Sequence, residues 1–346
     1  MSSKPVKLSF NPKQAVKTLL AALNNRSKDV IVGRYGLGTE TKKLTLEAIG
    51  KKYGITRERV RQIENYSIQN IRKSKEYGKA KKYFDELKTV MKSAGGIVAE
   101  HDFLSHISSD KSVQNSIHFL LVIGEEFIKH KEDEEFKHRW QIDGKLADQI
   151  HDSLRKIYGS LGDNDIVPES EIIASFLEYV KDVSEEYKNE EVIKRWLSLS
   201  KNLSKNPLGE WGKSKSPNIS AKGMRDYAFL VIRKHGSPIH FREVAKLITE
   251  IFNKKAHVAT THNELIKDPR FVLVGRGLYA LAEWGYMSGV VKDVVKKIIE
   301  KEGPLTKEKI IEKVLKERYV KPNTILVNLQ NPKYFKKDKQ GRYSVA

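Results

Sequence analysis

Not one cysteine occurs among the 346 residues, which removes disulfides and thiolate zinc sites and gives no sign of an oxidising compartment. Long apolar runs are missing too: stretches such as Phe119 to Ile123 are far too short to span a bilayer. The opening MSSKPVKLSF has no apolar core of the kind a secretory signal requires. Nor does any amphipathic stretch set a Lys face against Trp or Phe in the way a membrane-surface helix does. Catalytic apparatus is equally thin. His101 and His106 are five apart, and His235 and His240 flank a turn, but none forms the i, i+4 zinc-protease pair with its carboxylate. Gly36, Gly38 and Thr39 mimic a phosphate loop without the following Lys-Ser/Thr pair. No nucleophile, base and orienting group can be assembled. The expectation is a cytoplasmic protein with no enzymatic activity, no cofactor, no metal, no membrane contact and no small-molecule substrate.

What the chain has in excess is positive charge, +20 in all, and its distribution is uneven. Residues 1 to 84 carry 20 Lys and Arg against 6 Asp and Glu, residues 85 to 222 carry 19 against 25, and residues 223 to 346 carry 25 against 13. Two basic blocks thus flank an acidic middle. Basic ends suit a polyanion, because every neutralised phosphate releases counterions, and such binding weakens steeply with salt. The acidic middle suits a solvated surface, a basic patch on a protein partner, or a segment that DNA avoids.

The segment from Leu44 to Ser74, LTLEAIGKKYGITRERVRQIENYSIQNIRKS, reads as a helix, a tight turn and a basic second helix. With Leu46 as position one of a helix-turn-helix, the apolar slots fall on Ile49, Tyr53, Ile55, Val60 and Ile63. Gly50 is the small residue where helix meets helix, and Gly54 supplies the turn. Thr45 and Thr56 stand where N-cap hydroxyls are wanted. On the second helix Val60, Ile63, Ser67 and Ile71 recur at three- and four-residue steps and define a buried face. Arg57, Glu58, Arg61, Gln62 and Asn65 share the opposite one. Arg and Gln pair in two-pronged fashion with guanine and adenine edges, and Glu accepts from cytosine N4. A solvated charged face has the same composition; the helix-turn-helix register is what favours base reading.

These residues also carry a likeness. The run from Asp29 through Arg72, with VIVGRYGLG, LTLEAIGKKYGITRERVRQIE and a trailing IRK, resembles region 4 of the sigma-70 family of bacterial RNA polymerase initiation factors. Asn11 to Asn24 supplies a preceding helix, with Asn11 as N-cap and Pro12 at its first position. The resemblance covers roughly the first quarter of the chain. It implies that the second helix reads a −35 promoter element, with base contacts from Arg57, Glu58, Arg61 and Gln62. Contacts to the DNA backbone are expected from Thr45, Lys51, Lys52, Thr56 and Arg59. Sigma region 4 also contacts the flap of the polymerase beta subunit, so RNA polymerase core is an expected partner beside double-stranded DNA, and the nucleoid an expected location. An aromatic-studded segment for melting a promoter is not found upstream of Asn11 or downstream, so the chain is not expected to open a promoter alone.

Beyond a basic hinge expected at residues 76 to 82, one pattern recurs: AGGIVAEHDFLSHI, GDNDIVPESEIIASFL, HGSPIHFREVAKLI and EGPLTKEKIIEKVL. The equivalent apolar residues are Ile97, Ile166, Ile239 and Leu305, spaced about 70 residues apart as repeated domains would be. Thr261 precedes Pro269 and Thr324 precedes Pro332 by the same eight residues. Two hairpins follow, FVLVGRGLYAL around Gly275 to Gly277 and YFKKDKQGRYSV. A further hairpin is expected within LGEWGKSKSPNIS. Three helices and a hairpin make a winged helix. Met224 to about Tyr286 also resembles the HARE helix-turn-helix domain, known from the delta subunit of bacterial RNA polymerase. In its wing, Arg276 can meet phosphate. Trp140, Trp196, Trp211 and Trp284 fall at or near module ends and are expected to anchor cores rather than stack on bases.

The fold class is therefore mainly α, with tandem helix-turn-helix and winged-helix modules and short β-hairpin wings. The expected domains are 1–83, 84–143, 144–222, 223–286 and 287–346. The expected function is that of a sequence-specific, sigma factor-like transcription factor, with a polymerase accessory subunit or a nucleoid-structuring protein as the alternatives.

Overall fold

Asn11 starts the first helix by accepting hydrogen bonds from the amides of Lys13 and Gln14, which otherwise have no partner inside the helix. The computed structural model describes residues 6–346, so the first five residues of the expected 1–83 domain lie outside the described residues. The first four helices are α1 (Pro12–Leu20), α2 (Asn25–Tyr35), α3 (Leu46–Tyr53) and α4 (Arg57–Lys73). Gly36 ends α2 in the left-handed conformation, φ 64°, and its amide donates to the Val32 carbonyl. The Gly36-Gly38-Thr39 stretch is accordingly part of an inter-helix connection.

The basic stretch 76–82 is helical, not a hinge. Ser74 accepts from the Tyr77 amide and starts α5 (Lys75–Ser93), whose Ala80, Phe84, Leu87 and Met91 fall on one buried face. The expected boundary at 83/84 thus lies inside a continuous helix.

From α5 onward the same order of elements is met four times. The first has α5, β1 (Ile97–Ala99), α6 (Glu100–Ile107), α7 (Lys111–Ile123), β2 (Ile128–His130) and β3 (Arg139–Gln141), with strands ordered β1-β3-β2. Next come α8 (Gly144–Ser160), α9 (Glu169–Tyr179), α10 (Glu190–Leu197), β4 (Leu203–Lys205) and β5 (Trp211–Lys213). In place of a first strand this set has the single Val167–Trp211 bridge. Its hairpin also begins five residues earlier than LGEWGKSKSPNIS, because Leu203 is the buried residue that anchors the strand. The third set is α11 (Met224–His235), β6 (Ile239–His240), α12 (Phe241–Phe252), α13 (Val258–Lys267), β7 (Phe271–Leu273) and β8 (Leu278–Leu281), ordered β6-β8-β7. The last is α14 (Val291–Glu302), β9 (Leu305–Thr306), α15 (Lys307–Glu317), α16 (Pro322–Leu329), β10 (Phe335–Lys337) and β11 (Arg342–Val345), ordered β10-β11-β9. Ile97, Ile239 and Leu305 each open the first strand of their set, and Ile166 precedes the Val167 bridge. The fold is mainly helical, with small antiparallel sheets, as winged helix-turn-helix modules require.

The chain divides into two compact units. The first comprises residues 1–163, 167–204 and 211–214, and the second 164–166, 205–210 and 215–346. In the first unit one core runs without interruption from Ala15 and Leu19 on α1 through Ile71, Phe84 and Leu120 to Trp140. Burial of each such large side chain contributes about 1.5–3 kcal/mol. The helix α7 lies at the centre of this core: every residue from Asn115 to Leu121 is buried, and so is Ile123. A helix enclosed on all sides is a core element, so the third helix of this first winged set cannot enter a DNA groove. Arg72 fastens α4 to its end by donating to the carbonyls of Ile123 and Val122 at 2.9 and 3.1 Å. A second core holds Ile150, Phe176, Trp196 and Trp211. There the indole N–H of Trp196, on α10, donates to the Gly95 carbonyl at 3.0 Å.

In the second unit one core surrounds α11 and another α14. The two are joined by the β7–β8 turn: the Tyr319 amide donates to the Val274 carbonyl at 2.7 Å, and Gly275 bridges Tyr319. Trp140, Trp196 and Trp211 are buried, while Trp284 is half-buried. Among the described residues no helix is long and apolar enough to cross a membrane.

Candidate nucleic-acid interface

Two threonines set the ends of the helix-turn-helix. Thr45 Oγ1 accepts from the Ala48 amide and Thr56 Oγ1 from the Arg59 amide, each at 3.1 Å. Both side chains are exposed. Each hydroxyl keeps its own proton free to donate, for example to a phosphate oxygen. Between the helices Gly54 adopts φ 64°. Gly50 meets the turn so closely that a Cβ there would stand 2.6 Å from the Ile55 carbonyl oxygen. The small core beneath consists of Val30, Ile49 and Val60, flanked by Leu44, Leu46, Tyr53, Ile55 and Ile63. The apolar slots assigned from the sequence are all in it.

Opposite that core, Arg57, Glu58, Arg61, Gln62 and Asn65 are exposed on one face of α4, and Arg59 is exposed beside them. Several are paired with one another. Arg61 donates twice to the Glu58 carboxylate, from Nε at 2.9 Å and Nη2 at 2.6 Å. Arg59 Nη1 donates to Gln62 Oε1 at 3.1 Å. The hydrogen bond from Arg61 holds the Glu58 carboxyl below the usual carboxylate range, and the same contact raises Arg61. Glu58 is therefore ionised at neutral pH, able to accept from a base amino group or to aim Arg61 at a base edge. On α3, Lys51 pairs with Glu47 at 3.3 Å, and Lys52 lies 5.4 Å from the Tyr53 ring centroid. Both lysines are exposed. Lys51, Thr56, Arg57 and Arg59 line one shallow depression at the turn. Of the sequence-assigned residues, the depression gathers Lys51, Thr56, Arg57 and Arg59, while Glu58, Arg61 and Gln62 are exposed along α4 and Thr45 and Lys52 are exposed on α3 and its cap. Arg276 belongs to the second unit, exposed at the β7–β8 turn whose Gly275 is held against Tyr319.

Residues that position this face were not visible in the sequence. Glu64, on α4, accepts from the Tyr35 hydroxyl at 2.8 Å and lies 3.5 Å from Arg34 Nε, tying α4 to α2. Burial first, then the Glu64 carboxylate, pushes the Tyr35 hydroxyl well above its ordinary range. Asn115 donates from Nδ2 to the carbonyls of Gly36 and Thr41 at 3.0 and 2.8 Å, clamping the connection that leads into α3. Tyr66 is 61% exposed on α4. Asn115 offered no sequence signal, since its partners are over 70 residues away.

The histidines divide between structural tasks. His240 caps α12 by accepting from the Arg242 amide. His118 is buried between Lys43 and Glu100, and burial lowers its pKa. Burial alone would raise Glu100, but hydrogen bonds from His118 and Lys129 outweigh it and hold the carboxyl far below its usual range. Among the described residues no group of three or more His, Asp or Glu is arranged to hold a metal ion.

Comparison with known proteins matches residues 19–73 to the family Sigma-70, region 4. The RNA polymerase sigma factor RpoD of Helicobacter pylori is 46% identical over 67 residues, 19% of this chain and 10% of that protein. The sigma factor RpoS of Coxiella burnetii is 47% identical over 57 residues, 16% of each. The principal sigma factor HrdD of Streptomyces coelicolor is 36% identical over 74 residues, 19% of this chain and 22% of that protein. The chain thus spans about a tenth to a fifth of the length of these relatives. The surface assembled by α3 and α4 falls inside the matched segment: this chain carries a Sigma-70 region 4 domain at residues 19–73.

Proposed function

We propose that the protein is a sequence-specific DNA-binding factor of transcription initiation, with α4 lying in the major groove of a −35-like promoter element. Arg57, Glu58, Arg61 and Gln62 read base edges, while Thr45, Lys51, Lys52, Thr56 and Arg59 meet phosphates. The observation that carries this reading is the exposed, mutually hydrogen-bonded face of α4, set on a helix-turn-helix that matches sigma region 4. Entry into the groove exchanges hydrogen bonds within the face for bonds to bases, so little new ordering of these side chains is required. The three cations Lys51, Lys52 and Arg59 contribute about −2.7 to the slope of log K against log salt, at 0.9 per phosphate. Arg276 adds a contact from the wing of the 224–286 module.

RNA polymerase core is the proposed protein partner, with the flap of its beta subunit as the docking point, and the nucleoid in the cytoplasm is the proposed location. The named sigma factors among the relatives support this, as does the likeness of Met224 to Tyr286 to the HARE domain of the polymerase delta subunit. Selection of bound fragments from random duplex DNA, followed by sequencing, tests the DNA reading. A single motif resembling a −35 element is the expected outcome. Uniform recovery of all sequences would instead indicate a nucleoid-structuring protein. Capture of native polymerase at low salt without any motif would favour the accessory-subunit reading.

A further inference from the structure

The four winged sets differ sharply at their wings. The first wing, between β2 and β3, contains Glu132, Asp133, Glu134 and Glu135 in succession, of which Glu132, Asp133 and Glu135 pair with Lys201, Arg139 and Arg155, so it offers a polyanion no excess of cations. The second hairpin turns through Asn206, Pro207, Leu208, Gly209 and Glu210 and carries Lys205 and Lys213 on its strands, the latter paired with Asp163. The third has the lone Arg276 beside a Gly275 held under Tyr319. The fourth differs from all of them: Lys336, Lys337 and Lys339 are exposed, and Lys333 is exposed at its base. Its one acid, Asp338, is taken up by the turn. It accepts from the amides of Gln340 and Arg342 and from the Arg342 side chain at 2.9 Å. Three of the lysines lie near rings rather than carboxylates. Lys292 and Lys333 lie 4.6 and 6.0 Å from the Tyr334 centroid, and Lys337 lies 5.8 Å from that of Tyr343.

We propose that the β10–β11 wing is a second, sequence-independent contact for the phosphate backbone of duplex DNA, made by Lys336, Lys337 and Lys339 with Lys333 and Lys292 at its base. This rests on the reading of the protein as a DNA-binding factor. Duplex DNA is the ligand because the wing shares a chain with the α4 reading face. Once that face is bound, the covalent link holds the wing at high effective concentration, so a weak contact suffices. Strand pairing Phe335–Val345, Lys336–Ser344 and Lys337–Tyr343 keeps the cations on a fixed ribbon, and Phe335 anchors it in the core around α14. Three exposed lysines, with the tip's one carboxylate held by the turn, fit backbone contact, and Gln340 is the exposed side-chain amide beside them.

The test uses the full chain and a fluorescent mixed-sequence duplex, with affinity followed between about 50 and 200 mM salt. Replacing the three tip lysines together (Lys336→Gln, Lys337→Gln, Lys339→Gln) is expected to lower the salt slope by about 2 to 3, at 0.9 per phosphate lost. The matching triple Lys→Arg variant is expected to retain it. An unchanged slope in the Gln variant overturns the proposal, and so does an equal loss in the Arg variant, which would trace to a damaged wing. Tighter binding of single-stranded RNA of the same length than of the duplex also overturns it. Arg61→Ala, measured alongside, is expected to alter preference between sequences while leaving the mixed-sequence slope within about one unit. If Arg61→Ala leaves preference untouched, the promoter-reading assignment fails, whatever the wing variants show.

Discussion

Removing the Asn115 side chain should weaken the helix-turn-helix from a distance. Asn115 sits on the enclosed helix α7, 1% exposed, and its amide nitrogen supplies both the Gly36 and the Thr41 carbonyls. In Asn115→Ala those two hydrogen bonds vanish, each contributing about 0.5–1.5 kcal/mol, and the buried Gly36 oxygen loses its donor at a further cost. The expected loss is about 2 to 4 kcal/mol, directed at the first unit. A two-unit chain does not unfold as one transition, so hydrogen exchange resolved by peptide is the suitable assay. Peptides covering residues 36–45 and α3 should exchange faster, while those of the second unit keep the wild-type rate. Binding of duplex DNA should weaken with them, because Thr45 and α3 are placed by that connection. Unaltered exchange across residues 36–45, with a loss below about 0.5 kcal/mol, would refute the idea that the first winged set buttresses the sigma-like domain.

Three further outcomes follow from the same structure. Gly54→Ala forces a β-carbon into the left-handed turn of the helix-turn-helix, φ 64°, and should cost about 1–2 kcal/mol, read from hydrogen exchange of peptides covering α3 and α4. Gly95→Ala places Cβ 2.7 Å from Trp196 Nε1 at a φ of 113°, so it should destabilise more than Gly54→Ala and shift the fluorescence of the buried tryptophan. Acid should loosen the first unit: burial, then the neighbouring Arg139, lowers the His151 pKa to about 4, and its neutral Nε2 accepts from Arg139 Nε at 2.8 Å. The native state favours the neutral ring. The stabilisation is therefore complete above the unfolded pKa near 6.5 and is lost progressively as pH falls toward 4. His151→Gln, which keeps an acceptor for Arg139, should flatten that part of the stability profile.

The sequence was most legible where local spacing carries the fold. Thr45, Gly50, Gly54, Thr56 and the Ile49–Val60–Ile63 pattern specify the helix-turn-helix through interactions a few residues apart, and each is found in its expected role. The strand-opening residues Ile97, Ile239 and Leu305 were visible for the same reason. What was hidden depends on contacts across long separations. The lysine-rich stretch 76–82 reads as a hinge because its charges stand out, yet Ala80 and Phe84 turn it into a core helix. Charge balance alone marked residues 85–222 as unlike the rest; only packing shows that α7 is enclosed and that Trp196 on α10 binds the Gly95 carbonyl. Pairing within the exposed face of α4, Arg61 with Glu58 and Arg59 with Gln62, was equally beyond spacing rules, since side chains three apart can pair or diverge.

Base reading by α4 is most directly tested by the affinity ratio between a selected duplex and the same duplex with its central bases scrambled, measured at one salt concentration. For Arg61→Ala the predicted result is a loss of roughly 5- to 150-fold on the selected duplex, with little change on the scrambled one, as expected for one good base contact. Equal losses on both duplexes, or a ratio that stays at its wild-type value, would contradict the account.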